Sequence, residues 1–259
     1  MLSAAMRARL TVVLVGARNP SNIGASARAM RDFGFSDLRF VNEYAAPFQA
    51  AQLESTKSAV GAEDVMRNAR AFDSVADALA DCTFSLGTTA IGGRQLSRPI
   101  LPLTEATQQI ITELAGPHSR VALLFGSEKT GLTNEQLSHC QTLVNIPMFA
   151  PSDARHLSMN LGQAVAVCLY ELSRGGFENS RDLPAVHETQ ITADTRERLT
   201  QFLVEAMNAT GYSRRFPANA REHVVRQLAA QLGRSPDEAA TWMGFFRQVL
   251  RNAKKDAPG

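Results

Sequence analysis

Five short, nearly continuous apolar runs alternate with longer amphipathic stretches through the first two-thirds of this chain. They are LTVVLVGA (10–17), DLRFVN (37–42), TFSLGTTA (83–90), RVALLFG (120–126) and TLVNIPM (142–148). The runs are rich in β-branched and aromatic residues and lack the polar alternation of a sheet with one wet face. That combination predicts strands buried on both faces of a parallel sheet. Helical periodicity falls between them at about 22–33, 51–58, 61–80, 104–115 and 157–174. The expected fold is therefore α/β, with helices on both faces of the sheet. In such sheets ligands sit beyond the carboxyl ends of the strands. The strand exits NPSNIG, GTTA, FGSEKTG and NIPM are thus expected on one rim.

Length and composition narrow the class. The chain has 259 residues, 44% of them hydrophobic, enough for a sizeable buried core. No apolar run approaches the ~18 residues of a membrane helix. The run LTVVLV is short and lacks a small-residue cleavage site, so a cytoplasmic protein away from the membrane is expected. Cys82, Cys140 and Cys168 are widely spaced and fit buried thiols in a reducing compartment; no Cys/His cluster points to a metal.

The domain organisation is expected to be an α/β domain over 1–176, a polar, proline-containing linker over 177–191, and a helical extension over 192–259. Gly175 and Gly176 would end the last helix of the first domain. Helices are expected at about 192–209, 217–232 and 236–253, forming a small bundle. Its apolar stripes are Leu199, Phe202, Leu203 and Met207; Val224, Val225, Leu228 and Leu232; and Trp242, Phe245, Phe246 and Val249. The formal net charge is +2, but it is unevenly spread. From Arg196 onward eleven Lys/Arg face six Asp/Glu, a local +5, which hints at an anionic partner.

The rim loops carry the chemistry. FGSEKTG contains the G-x-x-x-x-G of a phosphate loop, but Gly131 is followed by Leu132 and Thr133. A working nucleotide-triphosphate loop needs Lys and then a hydroxyl at those places, so that chemistry is excluded. A G-x-G-x-x-G dinucleotide fingerprint is absent from VGARNPSNIGASARAM as well. In that stretch Ser21 or Asn22 is expected to cap a helix on which Gly24, Arg28 and Arg31 share one face. Gly24 either leaves room for a ligand beneath the guanidinium or simply permits tight helix packing. The third loop, IPMFAPSDARHLSMN, offers His156 as a base or as a solvated surface residue. Ser158 and Asn160 are available for capping or for ligand contact. No Ser-His-Asp or metal constellation is evident.

Taken in order, three motifs resemble those of the SpoU/TrmH-type SPOUT methyltransferases: N-P-x-N-x-G-A-x-x-R (Asn19 to Arg28), F-G-x-E-x-x-G-L (Phe125 to Leu132) and I-P-M…S-M-N (Ile146 to Asn160). The resemblance covers roughly 8–175, and the stretch TGYSRRFPAN in the extension is similar to the TrmJ branch of that family. The third loop, with Asp153, Arg155 and His156, is longer than in typical members.

The resemblance implies a parallel sheet whose carboxyl end is tied in a trefoil knot, and S-adenosyl-L-methionine as cofactor. Thr88, Thr89, Ala90, Phe125, Gly126, Gly131, Ile146, Pro147, Met148, Leu157, Ser158 and Met159 would line its pocket. Gly126 and Gly131 would let the loop backbone approach it. The reaction would be methyl transfer to a ribose 2′-hydroxyl of tRNA, in the anticodon loop. Arg28 would hold the substrate phosphate, with Asn22, Glu128, Ser158 and Asn160 completing the catalytic group; Asn22 and Glu128 would fix Arg28 or the ribose. An arginine is a poor general base, which favours an orienting role. Arg18, Arg31, Arg214, Arg215, Arg221 and Arg226 would bind RNA, chiefly by backbone contact and shape, since few exposed aromatics are expected. A homodimer through the knot region is implied. The alternatives are ribosomal RNA as substrate, or a non-catalytic RNA-binding protein of the same fold.

Overall fold

The computed structural model describes residues 2–41, 59, 61–90, 100–149, 158–175 and 191–255. Seven strands lie in one sheet: β1 (Leu10–Val15), β2 (Asp37–Val41), β3 (Arg70–Phe72), β4 (Phe84–Thr88), β5 (Ile100–Pro102), β6 (Val121–Phe125) and β7 (Thr142–Asn145). Their order is β3-β2-β1-β6-β4-β7-β5, and every pairing is parallel. The five apolar runs are thus the five inner strands. The two short edge strands, β3 and β5, escaped the hydrophobic pattern. β5 ends on Pro102, a residue a sheet tolerates at its edge because no ladder donor is lost there.

Strand β1 shows how both faces are dry. Leu10, Val12 and Leu14 enter one apolar cluster, and Val13 and Val15 enter the other. The first cluster is covered by α2 (Pro20–Asp32), α3 (Glu63–Arg67), α5 (Leu103–Ala115) and α7 (Leu161–Gly175), numbered after the short α1 (Ala4–Arg7). Helices α2 and α7 cross closely, because a Cβ added at Gly162 would stand 2.6 Å from that of Ala25. The second face receives α4 (Val75–Leu79) and α6 (Asn134–Ser138).

The stretch expected as one helix over 61–80 is instead α3, β3 and α4. Ser74 breaks it: its side chain accepts the Asp77 N–H and starts a new helix. The short α6 was missed, although Thr133 and Gln136 form a reciprocal capping box legible as T-x-x-Q. The expected helix at 51–58 and the expected linker, except Ile191, lie outside the described residues. Residues 91–99 and 150–157, which flank the strands where a knot is expected, also lie outside the described residues.

The extension consists of α8 (Ala193–Ala209), α9 (Tyr212–Arg215), α10 (Glu222–Leu232) and α11 (Pro236–Lys255). Leu199, Leu203, Val225, Ala229 and Phe246 form its core, whereas Leu228 and Phe245 of the expected stripes point to solvent. The bundle is docked on the sheet domain. The N–H groups of Ala193 and Asp194 donate to the carbonyls of Cys82 and Ala80, at 2.7 and 3.2 Å. Arg196 Nη2 donates to the carbonyls of Thr83 and Ile191. All three cysteines are buried, and burial pushes the thiols of Cys82 and Cys168 up to about 12. Among the described residues no helix is long and apolar enough to cross a membrane, and no group of His, Cys, Asp and Glu could hold a metal ion.

Candidate functional site

The strand order explains why the motifs meet. β1, β6, β4 and β7 are consecutive in the sheet, so the loops leaving them stand side by side at the carboxyl rim. The exit of β1 leads into α2, whose N-cap is Asn19: its side chain accepts the Ser21 N–H, and Pro20 takes the first helical position. The cap therefore lies two residues before the expected Ser21 and three before the expected Asn22. Proline at that position needs no N–H partner, so the helix begins as soon as it is reached.

This shift sets the direction of Asn22. Its Nδ2 donates to Glu128 Oε1 at 2.9 Å, and its Oδ1 accepts from Asn160 Nδ2 at 2.8 Å. Glu128, from the loop after β6, also accepts the N–H groups of Asn19 (3.2 Å) and Arg18 (3.4 Å). Asn160 in turn accepts the Gly162 N–H through Oδ1 at 3.0 Å, capping α7. The amide orientations form one consistent chain. Because Asn160 Oδ1 serves the helix, its NH2 faces Asn22; because Asn22 Oδ1 accepts that, its own NH2 faces the carboxylate. One residue from each of the three motifs is tied to the next. Burial alone would raise the Glu128 carboxyl, but the donors from Asn22 and the two backbone N–H groups hold it below the ordinary carboxylate value.

The structure corrects part of the expected geometry. Neither Asn22 nor Glu128 bonds to Arg28: the Asn22 side chain binds those of Glu128 and Asn160, and Glu128 binds Asn22 and the N–H groups of Arg18 and Asn19. Arg28 is exposed on α2, without a hydrogen bond or ion pair among the described residues, and its guanidinium is available to a ligand. Gly24, one turn before it, is buried. Ser158 is exposed beside Asn160, while Met159 packs against the main core. Arg18 and Arg31 are exposed at opposite ends of the α2 segment.

The loop after β6 folds back on itself. Ser127 and Gly131 pair across it, with the Gly131 N–H on the Ser127 carbonyl at 2.8 Å. A Cβ on Gly126 would lie 2.1 Å from the Gly131 carbonyl carbon and from the Leu132 nitrogen. Glycine at 126 is therefore demanded by the loop's own closure. This differs from the expected role of letting a ligand approach. Gly131 sits at φ +65° with no atom within 4 Å of an added Cβ, so the space beside it is open.

The other described residues expected in the pocket lie on β6 and the neighbouring strand exits and just before α7. Phe125 is buried beneath the loop. Thr88 donates its hydroxyl to the Leu124 carbonyl at 3.0 Å, and the Thr89 N–H binds the Val144 carbonyl at 2.8 Å. Those bonds hold the β4 exit and leave Ala90 exposed. Ile146 and Met148 are half-buried and Pro147 is exposed along the β7 exit; Leu157 lies outside the described residues. An open loop backbone flanked by partly buried apolar side chains suits a ligand with an apolar body and a hydrogen-bonding edge. The adenosyl part of S-adenosyl-L-methionine has that character, so these residues fit the group.

Arg226 is removed from the expected RNA surface. It is 4% exposed, and its guanidinium contacts the carboxylates of Glu197 (3.0 Å), Glu222 and Glu135 and the Ser138 hydroxyl (2.8 Å). Every donor faces protein, so no phosphate can reach it. Arg214, Arg215 and Arg221 are exposed. The structure also exposes aromatic rings that the sequence pattern did not single out, among them Tyr212 and Phe216.

Comparison with known proteins agrees with this geometry. The model of the SpoU rRNA methylase family matches residues 9–170. The tRNA (cytidine/uridine-2′-O-)-methyltransferase TrmJ of Sodalis glossinidius is 31% identical over 251 residues, covering 96% of this chain and 94% of its own. The Klebsiella pneumoniae TrmJ is 33% identical over 258 residues, covering 98% of this chain and all of its own. The crystal structure of TrmJ from Z. mobilis superposes with a TM-score of 0.75 at 27% identity, over 92% of this chain and 98% of that one.

Proposed function

The chain belongs to the SpoU rRNA methylase family, and we propose on that premise that it transfers a methyl group from S-adenosyl-L-methionine to a ribose 2′-hydroxyl of tRNA, in the anticodon loop. The observation that carries this is the hydrogen-bonded chain Glu128–Asn22–Asn160, which ties three motif loops into one rim beside an exposed Arg28. Near-full-length relatives named as tRNA 2′-O-methyltransferases support tRNA as substrate.

S-adenosyl-L-methionine supplies an electrophilic methyl group on a sulfonium. Gly131 and the strand exits at Thr88–Ala90 and Ile146–Met148, with Leu157 and Met159, would hold its adenosyl part. Glu128 is ionised at neutral pH and holds its loop through Asn19 and Arg18. Its charge also suits a cationic ligand nearby. Arg28 holds a substrate phosphate and so places the 2′-hydroxyl; Ser158, exposed beside Asn160, is a polar group of the rim that can accept the hydroxyl's hydrogen bond. The oxygen would take the methyl group, S-adenosyl-L-homocysteine would leave, and the hydroxyl proton would pass to water. Positioning of this kind accounts for much of the rate of such a transfer. Arg214, Arg215 and Arg221 bind tRNA phosphates. The active form is a homodimer through the rim and α7, whose Val167 and Tyr170 are exposed apolar side chains. A tRNA substrate puts the enzyme in the cytoplasm.

The test is transfer from labelled S-adenosyl-L-methionine by an Arg28→Ala variant at saturating tRNA. The expected loss is about 100-fold or more in kcat, with cofactor binding by calorimetry unchanged. Full transfer by the variant would remove Arg28 from the mechanism, and failure of the parent protein to bind the cofactor would remove the function.

A further inference from the structure

The segment from Gly211 to Arg221 is held by its own hydrogen bonds at the surface of the bundle. Gly211 enters it at φ +75°, a conformation that costs a side-chain-bearing residue strain. One short turn, α9, follows. The Phe216 N–H closes on the Tyr212 carbonyl at 2.8 Å, and the Asn219 N–H on the Phe216 carbonyl at 3.1 Å. Asn219 Nδ2 then reaches back to the Tyr212 hydroxyl at 3.1 Å, which fixes the tyrosine ring from its polar end.

Two aromatic rings are left in water by this construction. Tyr212 is 37% exposed and Phe216 42% exposed, although their centroids lie only 4.9 Å apart. The Arg215 guanidinium stands over the Phe216 ring at 5.3 Å. Arg214 and Arg221 are exposed close by in sequence, and 212–221 contains no acidic residue. A ring pair meant for the bundle core would be covered by α8 or α10; that core is complete without it. A site for an apolar protein partner would not be ringed by unpaired cations. Planar faces beside anion-binding side chains match a nucleobase with its flanking phosphates.

We propose that Tyr212, Phe216 and Arg215 form a stacking platform for an unpaired nucleotide of the RNA substrate, with Arg214 and Arg221 on the adjoining phosphates. The platform favours looped over double-helical RNA, because only an unstacked base offers a free face. The inference rests on the RNA-substrate reading but not on methyl transfer, so the two can fail separately.

The experiment compares binding by the full-length protein of two labelled RNAs at fixed salt: a hairpin with a seven-nucleotide loop, and a blunt duplex of equal length. Phe216→Ala and Tyr212→Ala should weaken hairpin binding about 5- to 100-fold each and leave duplex binding within about twofold. Phe216→Tyr should retain most of the affinity, and Phe216→Leu, which keeps bulk but not the ring, should not. The salt dependence of hairpin binding should keep its slope in the ring variants and fall by about one in Arg214→Ala. Unchanged hairpin affinity in both alanine variants would overturn the platform. So would equal losses on hairpin and duplex, which would make the surface purely electrostatic. A normal hairpin preference in a protein that fails to methylate tRNA would sink the proposed reaction and leave the platform standing.

Discussion

Asn160 uses its two ends on two tasks. Its carbonyl oxygen caps α7 and its amide nitrogen holds Asn22, which holds Glu128. Asn160→Ala should therefore cost a cap, about 1 kcal/mol, and release the rim. Melting would show the first effect, and a larger loss in kcat than the lost stability accounts for would show the second. Asn160→Asp separates them, since a carboxylate caps well but cannot donate to Asn22. A variant with near-normal melting and impaired transfer is expected. At the opposite, amino-terminal end of the strands, Asp37 lies between Arg39, Arg70 and Arg120 and also accepts from Thr11. Burial alone would raise its carboxyl, but these donors bring it from 3.8 down to about 2. A depressed folded pKa means stability that is present above about pH 4 and lost as pH falls toward 2, roughly 2 kcal/mol. Thermal melts between pH 5 and pH 2 should show that loss, and Asp37→Asn should flatten it.

Among the elements, the loop after β6 is where sequence and structure differ most usefully. The spacing of Gly126 and Gly131 is readable, and it excludes a nucleotide triphosphate, but the two glycines look alike in a string. Only the fold separates Gly126, where a Cβ would meet Gly131 backbone at 2.1 Å, from Gly131, which faces open space. Gly126→Ala should force the loop open and weaken S-adenosyl-L-methionine binding at least tenfold, measured by calorimetry, while the sheet stays folded by circular dichroism. The inner strands were legible because burial on both faces leaves a continuous apolar signature. The edge strands β3 and β5 were not, being three residues each and only partly buried. The early start of α2 was written in Asn19–Pro20, an N-cap followed by proline, and Ser21 and Asn22 drew attention away from it. The link from Asn22 to Asn160 spans 138 residues. No local pattern reports such a pair; the strand order does.

Across the whole molecule, the extension is fastened to the catalytic rim through Arg226. The arginine joins Glu222 on its own helix to Glu197 on α8 and to Glu135 on α6, the helix that begins where the loop after β6 ends. Composition marked this tail as basic, yet it could not tell an arginine that meets carboxylates from one that meets solvent. Two of the three acids, Glu197 and Glu135, sit 29 and 91 residues away from Arg226. Arg226→Met should loosen the bundle from the sheet domain at a cost of about 1–3 kcal/mol, because Glu197, the least exposed of the three carboxylates, is left without its partner. Differential scanning calorimetry should then resolve an early transition that the parent protein lacks. The account as a whole rests on the reaction. The most direct measurement is incubation of the purified protein with labelled S-adenosyl-L-methionine and unmodified bulk tRNA, followed by nuclease digestion and nucleoside analysis. Label in a 2′-O-methylated nucleoside is the expected result; label on a base, or none in tRNA despite cofactor binding, would contradict the proposed reaction.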